Sequence, residues 1–164
     1  VGQIPLYYAH KNTGRPLKEG KWFEKFRSNY LDVDNDALYP FGYGLSYTTF
    51  RFSDITLNRS SIGMDNELVA SVTVTNTGDR AGSEVVQLYI RDLVGSVTRP
   101  VKELKGFEKI YLQPNESRTV RFTIAPEMLK FYNADLKFVA EPGDFDVMIG
   151  PDSRNVKTAR FTLH

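Results

Sequence analysis

The stretch that decides the fold is residues 68–75, whose sequence LVASVTVT alternates apolar and small polar side chains. The apolar positions are every second residue, namely Leu68, Ala70, Val72 and Val74. Because successive side chains of a β-strand point to opposite faces, this pattern predicts a strand with one face in a hydrophobic core. The next four residues, NTGD at 76–79, are turn formers and predict the end of that strand.

Alternating segments of the same kind lie on both sides of this strand, separated by Gly, Pro, Asn and Asp turns at intervals of about ten residues. They cover residues 50–57, 84–91, 100–112, 119–124, 131–138, 145–149 and 159–163. The segments are short, and the only helix expected is a single turn that Pro126 begins. Seven or so strands of this kind predict an all-β fold, an immunoglobulin- or fibronectin III-like antiparallel β-sandwich, with an extended and mostly irregular N-terminal segment.

Two strands are expected to be irregular. The apolar phase of 50–57 shifts by one residue near Ser53 and Asp54, which predicts a bulge. Gly106 interrupts 100–112, which predicts a second bulge in a strand that crosses between the two sheets. The outer face of 84–91 carries Val85, Gln87 and Tyr89, and it is apolar enough that we expect the N-terminal segment to cover it.

Composition narrows the classes of function. Among the 164 residues, 41% are hydrophobic and 25% are charged, as in an ordinary soluble globular protein. Twenty-one basic and 20 acidic residues leave a net charge of +1, so no nucleic acid or anionic membrane partner is predicted. No apolar run approaches the roughly 20 residues that span a bilayer. The absence of cysteine excludes disulfides and thiolate chemistry.

No catalytic or cofactor-binding motif stands out. His10 and His164 are the two histidines, and Ser46 does not lie in a Gly-x-Ser-x-Gly elbow, so a Ser-His-Asp site is not predicted. Gly42 and Gly44 lack the third glycine of a dinucleotide-binding loop. We therefore predict no catalytic residue and no cofactor from these patterns.

An acidic run resembles part of a calcium loop. Asp32, Asp34 and Asp36 stand at the first, third and fifth positions of that pattern. Ala37 occupies the place of the required Gly, and Tyr43 the place of the bidentate Glu. We expect a solvated acidic turn and no metal site.

The segment 39–50, YPFGYGLSYTTF, separates the irregular N-terminal part from the alternating part. It has too many aromatic residues for a solvated linker and too many glycines for a strand or helix. We therefore expect an ordered and packed loop at this junction.

Several motifs give the chain a resemblance to a known family. The two longest are the junction 39–50 and RPVKELKGF at 99–107, and shorter ones lie at 2–5, 12–16, 74–78, 141–145 and 148–150. Together they resemble, in order, the C-terminal part of the bacterial β-glucosidase-like enzymes of glycoside hydrolase family 3. The resemblance covers nearly the whole chain and implies a fibronectin III-like domain.

The resemblance also implies a domain organisation and a role. Residues 1–16 would be the tail of a preceding α/β-sandwich domain, 17–48 a connector, and 49–164 the fibronectin III-like domain. In the family, the nucleophilic Asp and the acid/base Glu lie in the preceding domains. This part would then be non-catalytic and would brace the catalytic domains. The whole enzyme would hydrolyse terminal β-glucosidic bonds in the periplasm or outside the cell, without a cofactor.

Four aromatic residues near the N-terminus support a second hypothesis. They are Trp22, Phe23, Phe26 and Tyr30, at a spacing that suits a short helix or a wrapped loop. Either they attach the connector to a neighbouring domain, or they form a sugar-stacking platform of an independent carbohydrate-binding or adhesion module. A third hypothesis is a homodimer formed through the exposed aromatic face.

Overall fold

The structure is a computed structural model, and it describes residues 6–12, 15–16, 21 and 24–164. The strands in chain order are β1 (Phe50–Phe52), β2 (Thr56–Leu57), β3 (Ser61–Ile62), β4 (Leu68–Asn76), β5 (Gly82–Asp92), β6 (Glu103–Leu112), β7 (Ser117–Ile124), β8 (Phe131–Tyr132), β9 (Phe138–Val139), β10 (Gly143–Gly150) and β11 (Lys157–Leu163). A 3-10 turn, Pro126–Leu129, begins at the expected proline. In the described residues, no helix has the length and apolar character needed to cross a membrane.

The strands form two sheets and a small hairpin. In the first sheet, β4 pairs with β7 along one edge and with β1 and β2 along the other, all antiparallel. The second sheet has the order β3, β11, β10, β5, β6, and it is antiparallel except for the β3–β11 pair. Strands β8 and β9 form a separate hairpin. The predicted all-β sandwich is confirmed.

The hydrophobic core lies between the two sheets. The alternating residues of β4 that were predicted to face inward are at most 1% exposed. The opposite sheet contributes the same kind of side chains, among them Val86, Leu88, Ile90, Phe145, Val147, Ile149, Phe161 and Leu163. Alternation in the sequence therefore identified the buried face of β4, and the same alternation holds in β10 and β11. It does not hold in β6, where Phe107 is 69% exposed.

Both predicted bulges are present. Phe52 pairs with Val74, whereas Thr56 pairs with Ser71, so the first strand holds one residue more than its partner between these pairs. In β6, the register with β5 shifts beside Gly106. The prediction that this strand crosses between sheets is wrong, because β6 pairs with β5 along its whole length. The bulge changes the register without changing the partner.

The N-terminal segment lies against the outer face of the second sheet. Its described residues form isolated β-bridges and no strand. One of these bridges joins Lys11 to Pro100. The amide of Val101 donates to the carbonyl of His10 at 2.9 Å. This segment covers the outer face of β5 at Tyr89, which is buried and contacts Tyr8, as the apolar character of that face predicted.

Candidate functional site

Residues 6–12 and 39–49 meet the outer face of β5 and the loop at 150–155. We call this contact region the seam, and Gln87 lies at its centre. This buried side chain accepts a hydrogen bond from the Tyr89 hydroxyl at 2.6 Å. Its amide group donates to the carbonyl of Gly42 at 3.3 Å and also to the carbonyl of Pro151. The amide of Ser153 donates to the carbonyl of Phe41 at 2.9 Å. The junction is therefore held to the sheet mainly through its backbone.

Aromatic contacts add to this attachment. The Tyr8 ring stacks on Phe41 with a centroid distance of 4.2 Å and meets Tyr89 edge-on at 6.0 Å. The Tyr8 hydroxyl accepts a hydrogen bond from the amide of Leu104 at 3.3 Å. One side chain thus joins the N-terminal segment, the junction and two strands of the sheet.

The junction is attached to the first sheet through Asn76, which is fully buried. The Thr48 hydroxyl donates to the Asn76 carbonyl oxygen at 2.6 Å, and the amide of Gly78 donates to the same oxygen at 3.1 Å. The Asn76 amide group donates to the carbonyls of Arg80 and Leu112 at 2.7 and 3.1 Å. These bonds join the motif at 39–50 to the motif at 74–78.

The expectation of a packed junction holds for Phe41, which stacks on Tyr8, and for Phe50, which packs against the core, but it is wrong for the other large side chains. Leu45 is 89% exposed and Tyr47 93%, and Tyr39 and Tyr43 are also exposed. Leu38, directly before the junction, is 80% exposed. Because the backbone of this glycine-containing segment makes the contacts with the sandwich, the apolar side chains are left on the surface. We call the exposed side chains of Leu38, Tyr39, Tyr43, Leu45 and Tyr47 the apolar patch; within it, the rings of Tyr39 and Tyr43 lie 5.4 Å apart.

Beside this patch is an open cleft of about 740 Å³ between the N-terminal segment and the sheet. Its aromatic lining consists of Tyr7, Tyr8, Tyr39 and Phe41. Its charged lining consists of Asp36, Arg91, Lys102, Asp146 and Arg154. Apart from Asp36, which belongs to the acidic run, the sequence did not indicate these charged residues, because they lie on different strands and loops and only the fold brings them together.

Burial perturbs two groups of the seam. It raises the pKa of the Tyr89 hydroxyl, and the nearby Tyr8 and Asp152 add to the shift. Burial also raises the pKa of the Glu84 carboxyl. The hydrogen bond from the amide of Val85 opposes this shift, and the charge of Asp152 adds to it. Tyr89 is therefore a neutral hydrogen-bond donor here, consistent with its bond to Gln87.

The predicted aromatic platform is described only in part. Trp22 and Phe23 lie outside the described residues. Phe26 is 73% exposed and has Lys25 Nζ at 5.0 Å from its ring centroid. Tyr30 is half-buried, and its amide donates to Asn35 Oδ1 at 3.1 Å.

The three aspartates of the acidic run are exposed. The amide of Asp36 donates to Asp34 Oδ1 at 3.3 Å, and Asp36 Oδ2 lies 3.7 Å from Arg154 Nε. Within the described part of the chain, no group of three or more His, Cys, Asp or Glu residues is arranged to hold a metal ion.

A second charged cluster includes Arg99 and Glu103 of the motif at 99–107. The Arg99 guanidinium lies 4.1 Å from the ring centroid of Phe131, and its Nη2 donates to Glu103 Oε2 at 2.8 Å. Arg99 Nε is 3.6 Å from Asp92 Oδ2. These contacts fix the loop between β5 and β6 to the β8–β9 hairpin, which is a structural role.

Comparison with known proteins gives a family and several relatives. A fibronectin type III-like domain matches residues 84–153. The chain is 55% identical over 163 residues to a periplasmic β-glucosidase of Salmonella typhimurium, covering 99% of this chain and 21% of that protein. It is 41% identical to a β-xylosidase of Formosa agariphila, again over 99% of this chain and 22% of that protein.

The solved structures agree with these matches. The crystal structure of a β-glucosidase from Listeria innocua in complex with isofagomine superposes with a TM-score of 0.92 at 42% identity. The match covers 99% of this chain and 22% of that one, so the chain spans about a fifth of the length of the relatives it matches. The chain therefore carries a fibronectin type III-like domain and corresponds to the C-terminal part of glycoside hydrolase family 3 enzymes, as its motifs predicted.

Proposed function

We propose that this chain is the non-catalytic accessory part of a larger, β-glucosidase-like glycoside hydrolase and that it braces the catalytic domains. The observation that carries the proposal is the match of nearly the whole chain to about a fifth of each longer relative. We assign residues 1–16 to the end of the preceding domain, 17–48 to the connector and 49–164 to the fibronectin III-like domain. The whole protein would act on terminal β-glucosides without a cofactor, in the periplasm or outside the cell.

The apolar patch of the seam supports a bracing role. The chain that carries it is attached to the sandwich, because the carbonyls of Phe41 and Gly42 accept hydrogen bonds from Ser153 and Gln87, and the Thr48 hydroxyl donates to Asn76. An isolated domain gains nothing from placing several large apolar side chains in water, whereas a contact with a neighbouring domain buries them. We therefore assign the patch to the contact with the preceding catalytic domains.

Size is the first test of the proposal. An antibody against this chain should detect, in an extract of the source organism, a product several times heavier than 18.7 kDa. A product near 18.7 kDa would contradict the proposal.

A substitution tests the bracing contact in the longer polypeptide. Leu45→Ser removes an exposed apolar side chain of the patch, and Leu136→Ser is the matched control, since Leu136 is 81% exposed at the β8–β9 hairpin. We expect Leu45→Ser to lower the thermal midpoint and the β-glucosidase activity of the longer polypeptide, while the 164-residue chain is unaffected. Equal effects of the two variants would reject the contact.

The second candidate function is saccharide binding by Trp22, Phe23, Phe26 and Tyr30. The exposed ring of Phe26, with Lys25 above it, is the observation that favours it. The chain contains one tryptophan, so its fluorescence reports directly on this segment. Under this hypothesis, cellobiose or laminaribiose at millimolar concentration changes the fluorescence of the isolated chain, and Phe26→Ala abolishes the change. An unchanged spectrum would reject saccharide binding, and bracing would remain the only proposed role.

A further inference from the structure

A row of charged side chains crosses the outer face of the second sheet. Arg91 lies opposite Asp146 in the β5–β10 register, and Asp146 lies opposite Arg160 in the β10–β11 register. One step beyond the last pair of the β5–β6 register, Lys102 lies beside Arg91. The row therefore contains three cations and one carboxylate.

The carboxylate of this row is already used. Asp146 accepts two hydrogen bonds from the Arg160 guanidinium, at 2.8 and 3.3 Å. Lys102 donates to the carbonyl of Ser153. In the part of the chain that the structure describes, Arg91 makes no side-chain hydrogen bond and no ion pair. Arg91 and Lys102 are thus neighbouring like charges, which is unfavourable across a strand pair.

The surroundings offset this excess of positive charge incompletely. Burial lowers the pKa of Lys102, Asp36 opposes the shift, and Arg91 adds to it. Asp36 is in an ion pair with Arg154, and the oxygens of the buried Asp152 accept hydrogen bonds from amides of its own turn. Both cations line the cleft, so a further anionic group can reach them.

We propose that Arg91 and Lys102 form a docking point for a carboxylate side chain from the preceding part of the same polypeptide. The inference rests on the proposed bracing role and specifies its polar anchor. An Arg and a Lys that share a carboxylate in a partly desolvated cleft form strong, charge-assisted hydrogen bonds.

Two observations favour this occupant. Leu6, Tyr7, Tyr8 and His10 line the cleft, so any part of the polypeptide that precedes Leu6 is covalently attached next to the two cations. The relatives are also about five times as long as this chain, which leaves a large preceding part to supply the carboxylate. The apolar patch borders the same cleft through Tyr39, so one contact would cover both.

The test compares one substitution in two contexts. Arg91→Gln removes the charge and keeps a polar side chain, and Arg121→Gln is the control, because Arg121 is an exposed arginine on the outer face of the first sheet. In the 164-residue chain, Arg91→Gln relieves repulsion from Lys102, so we expect an unchanged or higher thermal midpoint. In the longer polypeptide, we expect the midpoint to fall by about 2–4 °C, and 0.5 M salt should reduce that fall. Arg121→Gln should change neither midpoint.

Other outcomes overturn the inference in distinguishable ways. If Arg91→Gln acts alike in both contexts while Leu45→Ser still destabilises only the longer polypeptide, the bracing role stands and the anchor is rejected. If neither variant distinguishes the contexts, both are rejected. If the isolated chain forms a dimer in light scattering that Arg91→Gln disrupts, the occupant is a second copy, and the assignment to the preceding part is wrong.

Discussion

At the scale of single residues, Gly42 shows how one backbone position holds the junction to the sandwich. Its φ of 82° lies in the left-handed region that favours glycine. A Cβ atom at this position would lie 2.2 Å from Gln87 Oε1, and that side chain is itself fixed by three hydrogen bonds. The aromatic residues around it are less constrained by the sandwich, since most of them are exposed.

Replacement of this glycine gives a sharp prediction. Gly42→Ala should lower the free energy of unfolding by about 1–3 kcal/mol, because the substitution adds backbone strain and displaces Gln87. Gly44→Ala is the control two residues away, where an added Cβ meets nothing within 4 Å. Urea unfolding followed by circular dichroism measures both variants. Equal stabilities would show that the Gly42 contact with Gln87 is unimportant.

The carboxyl group of Glu84 predicts a pH dependence. The pKa of this carboxyl is higher in the folded state than the ordinary value of 4.5. Its contribution to stability is therefore fully present below pH 4.5 and is lost as the pH rises through the folded-state pKa. Glu84→Gln should therefore be more stable than the parent chain at pH 7. The difference should vanish below pH 4.5, where both side chains are neutral. Urea midpoints between pH 4 and 8 test this, with the exposed Glu67→Gln as control.

At the scale of elements, the bulge between β1 and β2 has its own stabilising contact. The amide of Ser53 donates to the carbonyl of Thr73 at 2.9 Å, and the Ser53 hydroxyl accepts from the amide of Thr73 at 3.0 Å. The side chain thus replaces a backbone acceptor that the extra residue moves out of register.

Ser53→Ala should leave the Thr73 amide without this acceptor. We expect a loss of about 0.5–1.5 kcal/mol and faster hydrogen exchange at that amide. Ser71→Ala is the control, because Ser71 lies on the same face of β4 as Thr73 and its hydroxyl donates a longer hydrogen bond, 3.4 Å, to the carbonyl of Thr56. Exchange measured by NMR would contradict this account if the Thr73 amide were equally protected in both variants.

The same elements show what the sequence could predict. Alternation is a local property, so it identified the buried face of β4 and the bulge at Ser53 from neighbouring residues alone. Partners are not local. The position of β6 within one sheet and the row containing Arg91 and Lys102 depend on registers between distant segments, which no single segment encodes. The packing of the junction was predicted wrongly for a third reason. Its motif fixes the path of the backbone and leaves most of the large side chains exposed.

At the scale of the whole molecule, Tyr8 joins the N-terminal segment to the sandwich through Phe41, Tyr89 and Leu104. The two parts therefore behave as one unit in the described structure. The side chain lies in the seam and not in the core, so its loss should release the segment without unfolding the sheets.

We expect Tyr8→Ala to lower the free energy of unfolding by about 1–3 kcal/mol and to expose the segment before the junction to protease. Tyr7→Ala is the control, because Tyr7 is the neighbouring residue and its own side chain is 66% exposed. Limited trypsin digestion with mass spectrometry should show early cleavage between residues 11 and 36 in Tyr8→Ala alone. Early loss of the core strands would instead mean that the seam is part of the folding unit.

The parallel pair of β3 and β11 has a consequence for the speed of folding. It joins Ser61 to Thr162, and the intervening chain contains most of the sandwich. Closing a loop of roughly a hundred residues is entropically costly, and folds dominated by such distant pairings form in milliseconds to seconds. Until the pair closes, the outer edge of β11 remains without its neighbour and is open to wrong partners. The strand pair that closes the longest stretch of chain is thus also the one that covers the edge of β11 at Thr162 and Leu163.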